Sequence, residues 1–200
     1  TSNKDPNKVR NNFAKNKSFK KIFIIFIVTY LLLSLMKIIK NQINKDNFKD
    51  ETSEEIYREL GEKSGIQIID GIHDFLKEMK LNNISAVIGT STDRENIELA
   101  FGQLGIENFF LDAICAEDVS QGKPHPEVFL KGADLLGLPP EQCVVFEDSL
   151  HGIEAARRGG MKAVAITTSQ PASLLQEAGA DLIVDSPIEL TVNSLVQLFD

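Results

Sequence analysis

The chain has 200 residues, enough for one domain with a sizeable core, and its formal net charge of -8 and pI near 5.0 argue against nucleic acid as a partner. That average conceals a seam: residues 1–50 hold eleven basic and three acidic side chains, whereas residues 51–200 hold ten and twenty-six, together with all 13 glycines. Both cysteines, Cys115 and Cys143, lie in short apolar runs as small buried side chains, without Cys/His metal spacing or a disulfide framework, which fits a reducing, cytoplasmic setting for the acidic part.

Residues 1–50 form a basic, low-complexity extension in which Asn, Lys, Ile and Phe supply 30 positions. Seven basic residues precede a run without charge over residues 22–36. With Lys37 snorkelling, the hydrophobic segment 22–39 comes close to the roughly 20 residues that a membrane-spanning helix needs. No small-x-small cleavage pattern follows it. Three readings therefore stand side by side: an uncleaved membrane anchor, an extension unrelated to the domain that follows, and a buried strand. The last rests on residues 22–28, which are β-branched or aromatic throughout.

From Ser53 onward strands and helices alternate. Apolar residues at three-and-four spacing predict helices over 54–64 and 72–80. The stretch ISAVIGTS reads as a strand ending in hydroxyls, NIELAFGQLG as a helix stopped by Gly105, and LDAICAED as a second strand. PEVFLKGADLLG is a helix that opens at Pro126 and closes at Gly137. QCVVFED, LHGIEAARRGG, KAVAITTS, PASLLQEAG, DLIVD and IELTVNSLVQLF continue the alternation. The fold class is α/β, a Rossmann-like parallel sheet covered by helices.

In such sheets ligands gather at the carboxyl ends of the strands. The first of these strands delivers Thr90, Ser91 and Thr92 there, the loop after the second delivers Gly122, Lys123 and Pro124, and the third delivers Glu147 and Asp148. A phosphoryl group needs donors around its oxygens and a cation against its charge, and Mg2+ takes carboxylate oxygens plus water. Singly, each residue has a plainer role: a turn or cap hydroxyl, a solvated lysine, acidic residues at a helix start. Their place at three successive strand ends is what points to phosphoryl chemistry. His125 and His151 flank the set in surface or capping roles, and ARRGG at 156–160 reads as a helix end whose arginines complement the dipole.

The segments VIGTSTDRENI, SQGKPHPEVFLKGADLLGLPPEQCVVFEDSLHGIEAARRGGMKAVAITT and ADLIVDS resemble the haloacid dehalogenase superfamily, near its β-phosphoglucomutase and phosphoglycolate phosphatase-like branch, over about residues 54–200. The resemblance implies an aspartate nucleophile and Mg2+ that move the phosphoryl group of a small phosphorylated metabolite, a sugar phosphate or similar phosphomonoester. By position, Thr90 is the hydroxyl that binds phosphoryl oxygens, and Ser91 and Thr92 fall where related members contact substrate. Lys123 steadies the charge of nucleophile and phosphate, and Glu147 with Asp148 forms the acidic pair at the metal, Asp148 being the safer ligand. Three regions are expected: the extension 1–50, a remnant of a helical cap and its return linker at 51–70, and the α/β core at 71–200.

One family feature is missing. The family's first strand ends in D-x-D-G-T, and no D-x-D occurs in these 200 residues. Asp70, in IQIIDGIHDFLKEMK, matches a linker position. Aligning KKIFIIFIVT with the first strand puts Thr29 on the motif threonine and Ile25 and Ile27 on its aspartates, which restores a strand and no nucleophile. That strand is central in the family's sheet, so either residues 22–28 fill the slot or the neighbouring edges go unpaired. Two function classes follow: a magnesium-dependent phosphatase or phosphomutase read from a truncated or mis-started chain, or a non-catalytic binding module, or one tethered to a membrane through 22–39, that keeps the phosphate and metal pocket.

Overall fold

The computed structural model describes residues 23–26, 53–66 and 68–200. In chain order they form β1 (Phe23–Phe26), α1 (Ser53–Ser64), α2 (Ile72–Leu81), β2 (Ala86–Gly89), α3 (Arg94–Leu104) and β3 (Ala113–Ile114). The chain continues through α4 (Glu127–Leu136), β4 (Cys143–Glu147), α5 (Leu150–Arg158), β5 (Lys162–Ile166), α6 (Ala172–Glu177), β6 (Leu182–Val184) and α7 (Val192–Val196), with short 3-10 turns between.

The strands make one parallel sheet in the order β3-β2-β1-β4-β5-β6. β1 fills the central slot. Its Ile24 stands opposite Ala86 of β2 and Val144 of β4, and Ile25 opposite Val87 and Val145. The ladder on both sides consumes the backbone donors and acceptors of Phe23–Phe26, so these residues cannot also lie in a spanning helix. Of the candidate anchor segment 22–39, residues 23–26 are a sheet strand, while residues 22 and 27–39 lie outside the described residues. Among the described residues no helix is long and apolar enough to cross a membrane.

Alternation along β4 builds a core on each side of the sheet. Val144 and Phe146 face α2, α3 and α7, joining Ile72, Phe75, Leu76, Ile97 and Leu195. Cys143 and Val145 face α4, α5 and α6, joining Phe129, Ile153, Ala156 and Leu175. Both cysteines are buried and free, and burial pushes each thiol up to about 11.

Two elements are shorter than their apolar runs predict. The second predicted strand keeps only Ala113–Ile114, because the Asp118 carboxylate accepts the N–H of Cys115 at 2.8 Å and turns the chain into a 3-10 helix over Ala116–Asp118. The last helix begins only at Val192, because Thr191 Oγ1 accepts the N–H of Ser194 at 3.1 Å and caps it there, and after Val196 it passes into a 3-10 turn over Gln197–Phe199.

Phe146 is 1% exposed and meets the Phe75 ring edge-on at 5.6 Å between centroids, in the strand that carries Glu147. Phe146→Ala is expected to lower stability by about 3–5 kcal/mol, read as a drop in the urea midpoint at unchanged slope; a shift equivalent to under about 1 kcal/mol would mean that this face of the core repacks freely.

Candidate active site

β4 ends in Glu147 and runs through Asp148 and Ser149 into α5. Glu147 is 1% exposed and Asp148 2%, so both carboxylates stand where an unpaired charge would be costly. Glu147 is answered on both oxygens. Its Oε1 takes the Lys123 ammonium at 2.8 Å. Its Oε2 accepts the N–H of Asp148 at 2.9 Å, the N–H of Ser149 at 3.0 Å and the Ser149 hydroxyl at 3.0 Å. Ser149 Oγ, having donated its proton to Glu147, accepts the N–H of Gly152 at 3.0 Å and thereby caps α5. The carboxylate thus sits at a helix N-terminus, where the dipole also favours it.

This seating needs Gly152. A Cβ at that position would lie 1.7 Å from Glu147 Oε1. The glycine is a space left for the carboxylate.

Lys123 arrives from the loop after β3, through a cis Lys123–Pro124 peptide, with its ammonium 5.0 Å from the centroid of the Phe129 ring. Glu127, in the first turn of α4, ties that loop down. Its carboxylate accepts the Ser120 N–H at 3.0 Å, the Ser120 hydroxyl at 2.8 Å and the Gln121 N–H at 3.0 Å, and pairs with Lys131 at 2.9 Å. The Ser120 N–H, then Lys131 and the Ser120 hydroxyl, hold this carboxyl well below its ordinary value of 4.5, at about 2. His125 accepts the N–H of Glu127 on Nδ1 at 3.3 Å, the capping role expected of it, and His151 is exposed on α5.

Asp148 differs from its neighbour. Its Oδ2 accepts the Thr168 hydroxyl at 3.2 Å and the Ser169 hydroxyl, whereas no hydrogen bond from a described residue reaches Oδ1. Burial pushes its carboxyl above the ordinary carboxylate value; the Ser169 hydroxyl pulls it back, and the negative charge of Glu147 adds to the rise. A buried carboxylate oxygen that no donor among the described residues reaches suits a cation. Mg2+ is commonly held by one or two carboxylates, water and phosphoryl oxygens, so the donor set fits that ion through Asp148. Among the described residues no group of three or more His, Cys, Asp or Glu side chains converges to hold a metal without help from a ligand.

The hydroxyl side comes from β2. Thr90 is 2% exposed at the end of that strand, with its N–H on the Ile114 carbonyl at 2.9 Å and its Oγ1 accepting the Thr92 N–H at 3.2 Å. Ser91 is exposed and shares a cavity of about 130 Å³ with Ala116, Val119, Gly122, Lys123 and Val128. Ser91 and Lys123 are therefore brought together, and Lys123 is joined to Glu147; Thr90 and Thr92 do not line this cavity. A larger cavity of about 350 Å³ lies at the other end of β2, lined by Lys80, Ser85, Phe109 and Leu111 among others, and it holds none of the predicted site residues. Convergent charge, and not volume, marks the site. Sequence reasoning passed over Thr168 and Ser169. They follow β5 as Thr90 and Ser91 follow β2, and the same run of hydroxyls after an apolar strand was the available signal.

Comparison with known proteins bears on this geometry. The family model described as haloacid dehalogenase-like hydrolase matches residues 7–166, a span that includes β1 and crosses the compositional seam. A chloroplastic 5-amino-6-(5-phospho-D-ribitylamino)uracil phosphatase of Arabidopsis thaliana is 37% identical over 148 residues, 74% of this chain and 39% of that protein. The chain thus spans well under half the length of that relative. A phosphorylated carbohydrates phosphatase of Thermotoga maritima is 30% identical over 152 residues, 75% of this chain and 69% of that one. Among solved structures, a HAD hydrolase of family IA, variant 3, from Entamoeba histolytica superposes with a TM-score of 0.73 at 25% identity, covering 89% of this chain and 99% of the other.

Gly152→Ala is expected to displace the Glu147 carboxylate and separate it from Lys123, destabilising the fold by roughly 3 kcal/mol or more; a chemical-denaturation midpoint equal to that of the parent would show that Glu147 has room to move. Because the folded-state pKa of Glu127 is depressed, its contribution to stability is complete above about 4.5 and is lost as pH falls towards about 2. Glu127→Gln should therefore flatten the acid limb of the stability profile between those two values, measured by urea unfolding at a series of pH values; an unchanged limb would remove Glu127 as the clamp on the Lys123 loop.

Proposed function

We propose that this chain, which belongs to the haloacid dehalogenase-like hydrolase family, binds the phosphoryl group of a small phosphorylated metabolite at the carboxyl ends of β2 and β4, with Mg2+ at Asp148. A sugar phosphate or similar phosphomonoester is the substrate class this reading favours, since the relatives just described include a phosphatase of phosphorylated carbohydrates. The observation that carries it is the buried Lys123 ammonium, fixed by Glu147 and opening onto the cavity it shares with Ser91.

Each residue then has a physical task. The Thr90 hydroxyl, which receives the Thr92 N–H on a lone pair, keeps its own proton for a phosphoryl oxygen. Ser91 and Thr92 flank it on the substrate side. Lys123 neutralises phosphoryl charge, and Glu147 holds the ammonium in place. Glu147 is occupied by four donors, so Asp148 is the residue of the pair that offers an oxygen to the metal. When bound, Mg2+ supplies further positive charge against the phosphoryl oxygens.

No residue of this chain is assigned as the attacking group. The family scheme uses an aspartate at the end of the first strand, and here β1 is Phe23–Phe26, with Ile25 and Ile27 at the aspartate positions when the run is aligned on Thr29. That observation favours a second reading, in which the pocket binds phosphate and metal without turnover.

Hydrolysis of a generic aryl phosphate by the 200-residue chain, with and without Mg2+, beside its Asp148→Ala variant and a calorimetric titration with inorganic phosphate, separates the two. Turnover that needs both Mg2+ and Asp148 supports phosphoryl transfer, with rate falling about 100-fold or more in the variant. Phosphate binding without turnover supports the pocket reading. A folded chain that neither turns over nor binds phosphate would refute both.

A further inference from the structure

The hydroxyl loop after β2 is held from behind by a chain of polar contacts that reaches α1. Thr92, whose N–H lies on Thr90 Oγ1, accepts the Asn96 Nδ2 amide on its own Oγ1 at 3.1 Å. Asn96 is fully buried in the first turn of α3, beside the apolar Ile97 and Ala100. A buried amide among such neighbours is costly unless its dipole is answered, so its orientation is fixed by its partners. Asn96 Oδ1 faces Arg58 Nη1 of α1 at 3.5 Å, and the same guanidinium nitrogen pairs with Asp93 Oδ2 at 2.7 Å. Asp93 Oδ1 in turn accepts the N–H of Asn96 at 3.0 Å and caps α3. A second tie joins the same helices, Gln103 donating to the Gly61 carbonyl at 2.9 Å and accepting the N–H of Ile66 at 2.6 Å.

We propose that Asn96 is a positioning residue for phosphate: it fixes Thr92, and through Thr92 the pose of the Thr90 hydroxyl, while Arg58 holds Asn96 and so couples the docking of α1 to the affinity of the pocket. The inference rests on the phosphoryl-binding reading above. Its chemistry is specific to the amide. Nδ2 must point at Thr92 for Oδ1 to face a cation, and Arg58 favours that flip over the reverse, in which two sets of donors would meet.

Calorimetric titration of the full chain with inorganic phosphate tests the coupling, using Asn96→Ala, Thr92→Val, the double variant and Arg58→Gln. Asn96→Ala and Thr92→Val should each weaken phosphate binding about 5-fold, and the double variant no more than the worse single one, because both remove the same hydrogen bond. Arg58→Gln, at a partly exposed position, should weaken it about 2- to 3-fold without unfolding the chain. Affinities equal to the parent's, or a double variant whose loss is the product of the single losses, would overturn the proposal while leaving the pocket reading intact. Should Asn96→Ala fail to fold, an unchanged affinity in Arg58→Gln overturns it. A parent chain that binds no phosphate refutes the pocket reading itself, and with it any role for Asn96 in phosphate affinity.

Discussion

The ion pair between Lys123 and Glu147 is the constraint from which the rest of the site follows. Two opposite charges, 8% and 1% exposed at their side chains, meet at 2.8 Å, and each would be destabilising without the other. Their pairing dictates local sequence at a distance. It requires Gly152, because the carboxylate occupies the volume of the missing Cβ. It requires Ser149, which serves Glu147 and α5 with one hydroxyl, and a loop that delivers Lys123 at a fixed height, which Glu127 secures. The GKP and EDS motifs and the glycine three residues beyond them are thus parts of one electrostatic assembly, although more than twenty residues separate its halves in sequence.

The division of labour between the two carboxylates has the same origin. Glu147 is satisfied by protein donors and so works as a structural anion. Asp148 keeps one oxygen that no donor among the described residues reaches and leans its other on hydroxyls from the loop after β5. The two are neighbours at the end of β4 and take different hydrogen-bond partners. One faces the lysine loop and the other faces β5.

The alternation of strands and helices, the two glycine helix stops and the set of strand-end residues were legible in the sequence, because each depends on short-range periodicity or on a motif with strong chemical demands. Gly105 and Gly137, for instance, close their helices in the left-handed conformation, as their positions after apolar periodic runs suggest. What was not legible depended on contacts between distant segments. Nothing near Asn96 in the chain announces that its amide meets Thr92 on one side and Arg58 on the other, since Arg58 lies 38 residues away. The shortening of the last helix was hidden for a different reason: its apolar residues run on past the cap, and a single threonine hydroxyl decides where helix begins.

The central strand separates what the fold needs from what the reaction needs. To hold the slot between β2 and β4 a segment must offer a continuous backbone ladder and side chains that favour extended structure, and Phe23–Phe26 does both with two isoleucines and two phenylalanines. Nothing in that requirement calls for a carboxylate. The nucleophile of the family scheme is an added chemical demand at the end of the same strand, satisfied by residue type and not by pairing. The pairing of β1 with β2 and β4 thus sets the sheet, and the residue type at the end of that strand is a separate matter. Membership of the family accounts for the architecture; whether phosphorus is attacked is decided by atoms at a strand end that the architecture does not itself specify.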